Sequence, residues 1–104
     1  MSSLDWLQQW YAAQCDGEWE HHHGITFETL DNPGWLVKID LTGTSLESEP
    51  MEEMATSDVR NGVEMNPNWI HCSVQEDQFI GAGGLDALPK VCEVFRKWVE
   101  SAGA

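Results

Sequence analysis

Positive charge is what this sequence has least of: five Lys and Arg stand against 18 Asp and Glu, for a formal net charge of −13. A chain so unbalanced repels nucleic acid and anionic lipid and draws in basic partners at an enhanced rate. Long apolar runs are missing too. No stretch of 18 apolar residues occurs, so no segment reads as a membrane-spanning helix. Cysteine is scarce and odd in number, and Cys15, Cys72 and Cys92 lack the close CxxC spacing of metal and redox motifs. The opening residues, Met1 to Trp6, carry neither the basic segment nor the apolar core of an export signal. These absences together predict a reduced, cytoplasmic protein. Also missing are a nucleophile elbow, a complete phosphate-binding loop, a zinc-ligand pattern and a paired-carboxylate signature, which removes the usual sequence marks of an enzyme.

Aromatic bulk, by contrast, is plentiful. Six Trp and three Phe in 104 residues give one domain enough material for a single core without disulfides or metal, since each enclosed ring buries roughly 150–250 Å². The acids are distributed unevenly. Residues 1–59 hold twelve of them against Lys38 alone, whereas residues 60–104 hold six against four bases.

The clearest local pattern is a hairpin. Trp35, Val37, Ile39 and Leu41 alternate with Leu36, Lys38, Asp40 and Thr42, and Ile25, Phe27 and Thr29 alternate with Thr26, Glu28 and Leu30. Both have the period of two that marks half-buried strands. Between them Asn32-Pro33-Gly34-Trp35 reads as a type II turn, with Pro33 fixing one φ and Gly34 supplying the positive one.

Ahead of the hairpin, residues 3–14 read as a helix capped by Ser2 or Ser3, with Asp5 in its first turn. Leu4, Leu7, Trp10 and Tyr11 form its apolar stripe, widened by Trp6 and Ala13. Core packing accounts for Trp6 and Trp10 better than an exposed partner patch does. Gly17 then ends the helix. The run His21-His22-His23 suggests a metal site. Yet in an extended chain only His21 and His23 share a face, and further ligands such as Glu18 or Cys15 are still needed.

Beyond the hairpin, a third strand is expected around Met51–Thr56, and the polar residues 57–68 read as a long loop. A strand at Trp69–Gln75 with bulk on both faces belongs inside the sheet. A tight turn at Glu76-Asp77 follows, then a strand at Gln78–Gly81. Gly81 to Gly84 reads as a connector needing positive φ; it lacks a full phosphate-loop pattern, and Asp86 stands where an anion would bind. The last helix is expected from Ala87 to Ser101, capped by Asp86, with Leu88, Val91, Cys92, Phe95, Trp98 and Val99 on its buried stripe. The sum is an α+β domain over residues 1–104: an antiparallel sheet of four to five strands, with an N-terminal and a C-terminal helix packed on one face.

Taken in order, Trp10-Tyr11, Gln14-Cys15-Asp16-Gly17, Trp19-Glu20-His21, Glu28 through Trp35, Lys38-Ile39-Asp40-Leu41, Trp69-Ile70-His71-Cys72 and Phe79 through Gly84 form a set. This set resembles the immunity protein 53 family of bacterial polymorphic toxin systems over nearly the whole chain. The Leu30-Asp31-Asn32-Pro33-Gly34-Trp35 turn is its most specific element. The resemblance implies an antidote that binds a cognate toxin domain made by the same cell, with no cofactor and no catalytic residues to transfer.

The residues fit such a role. An acidic antidote suits a toxin that binds nucleic acid, because a carboxylate array can occupy a basic nuclease site. The candidate partner-binding residues are Asp16, Glu18 and Glu20 after the first helix, and Glu47, Glu49, Glu52 and Glu53 before the polar loop. Two alternatives compete with this: a metal-binding module on His21–His23, and a Cys/His enzyme assembled from His21–His23, His71, Cys15 and Cys72. Because His71 and Cys72 are neighbours on a strand, they face opposite sides and cannot pair with each other.

Overall fold

The computed structural model describes residues 2–102. Helix α1 runs from Ser3 to Gln14 and is capped as its sequence predicts, with the Ser2 hydroxyl accepting the Asp5 N–H. A short helix, α2 (Trp19–His22), follows. The strands are β1 (Ile25–Leu30), β2 (Gly34–Asp40), β3 (Met54–Thr56), β4 (Val59–Arg60), β5 (Val63–Glu64), β6 (Ile70–Gln75) and β7 (Gln78–Gly83), and helix α3 (Leu88–Ser101) closes the chain. Five strands form one antiparallel sheet in the order β1-β2-β7-β6-β3, and β4 and β5 form a small separate hairpin.

One face of the sheet carries Val37 and Ile39 of β2, Phe79 of β7, and Ile70 and Cys72 of β6, all buried. Registers such as Val37↔Gly81 and Cys72↔Gly81 line these residues up across the strands. Both long helices lie on this face. Phe95 of α3 is the hub, with Phe79 beneath it at 5.0 Å between ring centres and Trp10 and Trp6 of α1 against it at 5.2 and 5.9 Å.

The glycines before α3 do something other than turn the chain. Gly81 and Gly83 are strand residues, and neither is among the positive-φ glycines. A Cβ on Gly81 would fall 2.4 Å from Val91 Cγ1, and one on Gly83 would fall 2.8 Å from Ala87 Cβ. Their missing side chains form the trough in which α3 lies, the close-approach use of glycine rather than the conformational one.

Three other expectations change in detail. The Asn32–Pro33 peptide is cis, and Gly34 is the first residue of β2 rather than a positive-φ turn residue. Gly34 is glycine because a Cβ there would sit 2.4 Å from the Gly83 carbonyl oxygen. Asp86 does not cap α3; Ala87 holds the cap position with no side-chain bond. Residues 57–68 are not a plain loop. Asn61 and Gly62, with φ of 51° and 78°, make the tight turn of the β4–β5 hairpin, the geometry Asn-Gly favours.

An acidic pole as the candidate functional site

Antiparallel pairing brings the start of β1, the end of β2, and the β6–β7 turn to one end of the sheet. Three connecting segments meet there, and hydrogen bonds tie them together. In the first, residues 15–24, the Asp16 carboxylate accepts the N–H groups of Glu18 and Trp19 at 3.0 and 2.9 Å. The Glu20 carboxylate accepts those of Asp16 and Gly17 at 3.0 and 2.9 Å. Hydrogen bonding to the charged form favours it. The Trp19 N–H, then that of Glu18, accordingly holds the Asp16 carboxyl below its ordinary value. Backbone N–H groups, its own first and then those of Asp16 and Gly17, do the same for Glu20.

The second segment follows β2. The Trp19 indole N–H donates to the Thr42 carbonyl at 2.8 Å, and Gly43, at φ 80°, lies against the same ring. The third is the Glu76-Asp77 turn, whose residues both adopt positive φ. The Asp77 carbonyl accepts the Leu41 N–H at 2.8 Å, and its carboxylate accepts the Ser48 N–H at 2.7 Å. Asp40 links the strand ends, accepting from Gly24 N–H and from the Gln78 amide, each at 3.0 Å. His23 Nδ1 stands 3.9 Å from the same carboxylate.

The result is a surface of one sign. The segments 15–24, 40–53 and 76–77 hold ten of the chain's 18 acids and none of its five Lys and Arg. The helices add to it. The Ser3 hydroxyl donates to the Pro89 carbonyl, so α1 and α3 start side by side, and the Trp98 indole N–H donates to Pro50 near the other end. Both helices therefore point their C-termini, the negative ends of their dipoles, toward the pole. Neither has a base in its last turn to offset this.

Four of the predicted residues, Asp16, Glu18, Glu20 and Glu47, lie on this pole. Glu49 and Glu52 sit around the corner, lining a cleft of about 590 Å³ between the segment before β3 and the outer side of α3, together with Lys90, Lys97 and Glu93. Glu53 goes elsewhere: its carboxylate meets His71 Nε2 at 2.7 Å, on the sheet face away from the helices. Asp40, Glu76 and Asp77 belong to the pole and escape sequence reasoning. Nothing in the order of residues says that the β6–β7 turn stands beside the end of β2. The β2–β7 pairing decides that.

The histidine run lies on the same end. Helix α2 extends through His22, and His23 stacks at 5.8 Å from the Trp19 ring. Among the described residues no group of three or more His, Cys, Asp and Glu is arranged to hold a metal ion. Cys72 is wholly buried under α3, and burial, with Cys92 adding to it, pushes its thiol up to about 11. A thiol so placed is neither ionised near neutral pH nor within reach of His71 on the opposite face. Cys15 is exposed, its Sγ 3.4 Å from the Tyr11 carbonyl.

What fold and site define together is a small α+β domain with a braced, strongly acidic end. The family model of Immunity protein 53 matches residues 4–100, and the chain belongs to that family. Its membership implies the role of a non-enzymatic inhibitor that binds a cognate toxin protein. Neither a curated protein nor a solved structure matches the chain. No helix among the described residues is long and apolar enough to cross a membrane.

Proposed function

We propose that this immunity protein neutralises its toxin by setting the acidic pole against a basic surface of it, and that the toxin is a nuclease. The observation that carries this reading is the convergence of seven carboxylates, those of Asp16, Glu18, Glu20, Asp40, Glu47, Glu76 and Asp77, on hydrogen-bonded segments that hold no Lys or Arg. Bracing matters because an inhibitor that orders its loops on binding loses that entropy from its affinity. Several carboxylates already spend their oxygens on backbone N–H groups, as Asp16, Glu20 and Asp77 do. They fix the surface and contribute field. Glu18, Glu47 and Glu76 are exposed and stand ready to meet a partner's cations. A nuclease must itself be basic where it holds phosphate, so the same field that attracts the toxin repels its substrate. Glu49 and Glu52 extend the surface to the cleft beside α3, while Glu53, on the other face of the sheet, stands apart from it.

The test is co-expression with the toxin domain encoded beside this gene, scored by growth and by co-purification. Rescue with a stable complex is the expected result. Growth arrest with no complex contradicts the reading. Catalysis by the isolated toxin on DNA or RNA, and its loss on adding the antidote, decides the nuclease part separately.

A further inference from the structure

The two edges of the sheet are not alike. Strand β3 is three residues long and is led in by Pro50, Glu52 and Glu53, so little edge is offered there. Short strands, proline and charge are the usual guards of a sheet edge. Strand β1 has only one of these guards, the charge of Glu28. It is six residues long, holds no proline and no base, and exposes Thr26, Phe27, Glu28 and Thr29 in succession.

The ladder shows which backbone groups are free. The Asp40 N–H donates to the Gly24 carbonyl, so Gly24 and Asp40 are a hydrogen-bonded pair. In an antiparallel ladder such pairs alternate with non-bonded ones, which makes Thr26↔Lys38 and Glu28↔Leu36 the next bonded pairs. The N–H and C=O groups of Ile25, Phe27 and Thr29 therefore point outward. Beside them lies an apolar groove of about 450 Å³, lined among others by Leu4, Leu7, Tyr11, Ile25 and Phe27. Leu4 and Phe27 are 55% and 44% exposed there.

We propose that the β1 edge takes an extended, basic segment of the toxin as a sixth strand, with alternate apolar side chains entering the groove. This rests on the antidote reading above. Charge selects the occupant: residues 1–31 hold six acids and no Lys or Arg, and Glu28 lies mid-strand. A second copy of this chain would bring the same six acids against themselves, at −13 per protomer, whereas a strand with Lys or Arg opposite Glu28 gains a cross-strand pair. The edge also begins at Gly24, on the acidic pole, so one partner can engage both.

The experiment is amide hydrogen exchange by NMR on the full chain, with a short peptide alternating lysine and valine as probe. The inference expects the Ile25, Phe27 and Thr29 amides to exchange at least ~10-fold more slowly with peptide. The Thr26 and Glu28 amides, already in the ladder, should change little. The same peptide N-methylated at alternate residues should give no protection. Peptide binding without protection at these three amides, or no binding, overturns the inference, as does a free protein that dimerises through β1 in light scattering.

The toxin complex separates this inference from the reading it rests on. A native pair that forms a complex while leaving these amides unprotected removes the edge and keeps the antidote; a pair that forms no complex removes both. Thr29→Pro deletes only an outward N–H and should fold normally while weakening the complex ~10-fold or more. Unchanged affinity in a folded Thr29→Pro protein overturns the inference.

Discussion

The two ends of the sheet carry the same kinds of connection and use them differently. At the acidic end, three segments are cross-braced through Trp19, Asp40 and Asp77, and they hold no Lys or Arg. At the other end, the β4–β5 hairpin projects with Val59, Val63 and Met65 exposed, and its acids are partly matched, Asp58 with Arg60 at 3.2 Å. Hydrogen bonds brace this end too, with Glu64 accepting the Asp58 and Asn66 N–H groups and the Trp35 indole donating to Leu85, so the two ends differ in charge: one is of a single sign and the other is mixed. Recognition through charge needs the first kind, because a field of one sign draws in a basic partner where mixed charges offset each other.

The comparison breaks most visibly by moving charge. Glu18→Lys with Glu47→Lys should weaken toxin binding on the order of 100-fold, chiefly through the association rate, whereas Asp58→Lys with Asp86→Lys should change it by less than ~3-fold. Calorimetry or interferometry on the purified complex reads both. Equal losses from the two pairs would remove the distinction between the ends.

Next comes the trough that seats α3. Gly81→Ala places a methyl against Val91 and Phe79 and should cost about 1–3 kcal/mol in denaturant unfolding. Trp19→Phe removes the donor to Thr42 along with some buried volume, for about 1–2 kcal/mol. Its toxin affinity should fall as well, since the bracing between two pole segments goes with it.

Acid should act on the pole more gently. Asp16 and Glu20 have folded-state values below their ordinary 3.8 and 4.5, so their contribution is present above those values and lost as pH falls through the lowered ones. The Trp19 indole N–H resonance should therefore report loosening of α2 below about pH 4, and Asp16→Asn should show that looser state already at neutral pH. The smallest effect is chemical: Cys15 should react with a thiol reagent in the native protein while Cys72 and Cys92 wait for unfolding.

Strand and helix periods made the architecture legible in the sequence. The alternation through Trp35–Leu41 and the stripe through Val91, Phe95 and Val99 each point one way, and the packing agrees with both. The errors came where a residue type has two physical uses. Gly34, Gly81 and Gly83 were expected to supply backbone freedom and instead supply space, a distinction that depends on a neighbour distant in sequence. Asn61-Gly62 carried a hairpin signal, but two-residue strands with polar flanks leave too short a pattern to register. The site was half legible. Glu18 and Glu47 are visible as local runs of acid, while Asp40, Glu76 and Asp77 join them only through strand pairing.

The most direct test of the acidic pole is the association rate with the toxin measured across a range of salt. A steep fall with rising ionic strength in the wild type, largely flattened in the Glu18→Lys, Glu47→Lys variant and retained in the Asp58→Lys, Asp86→Lys variant, is what the pole predicts. A rate indifferent to salt, or a dependence lost equally in both variants, would contradict it.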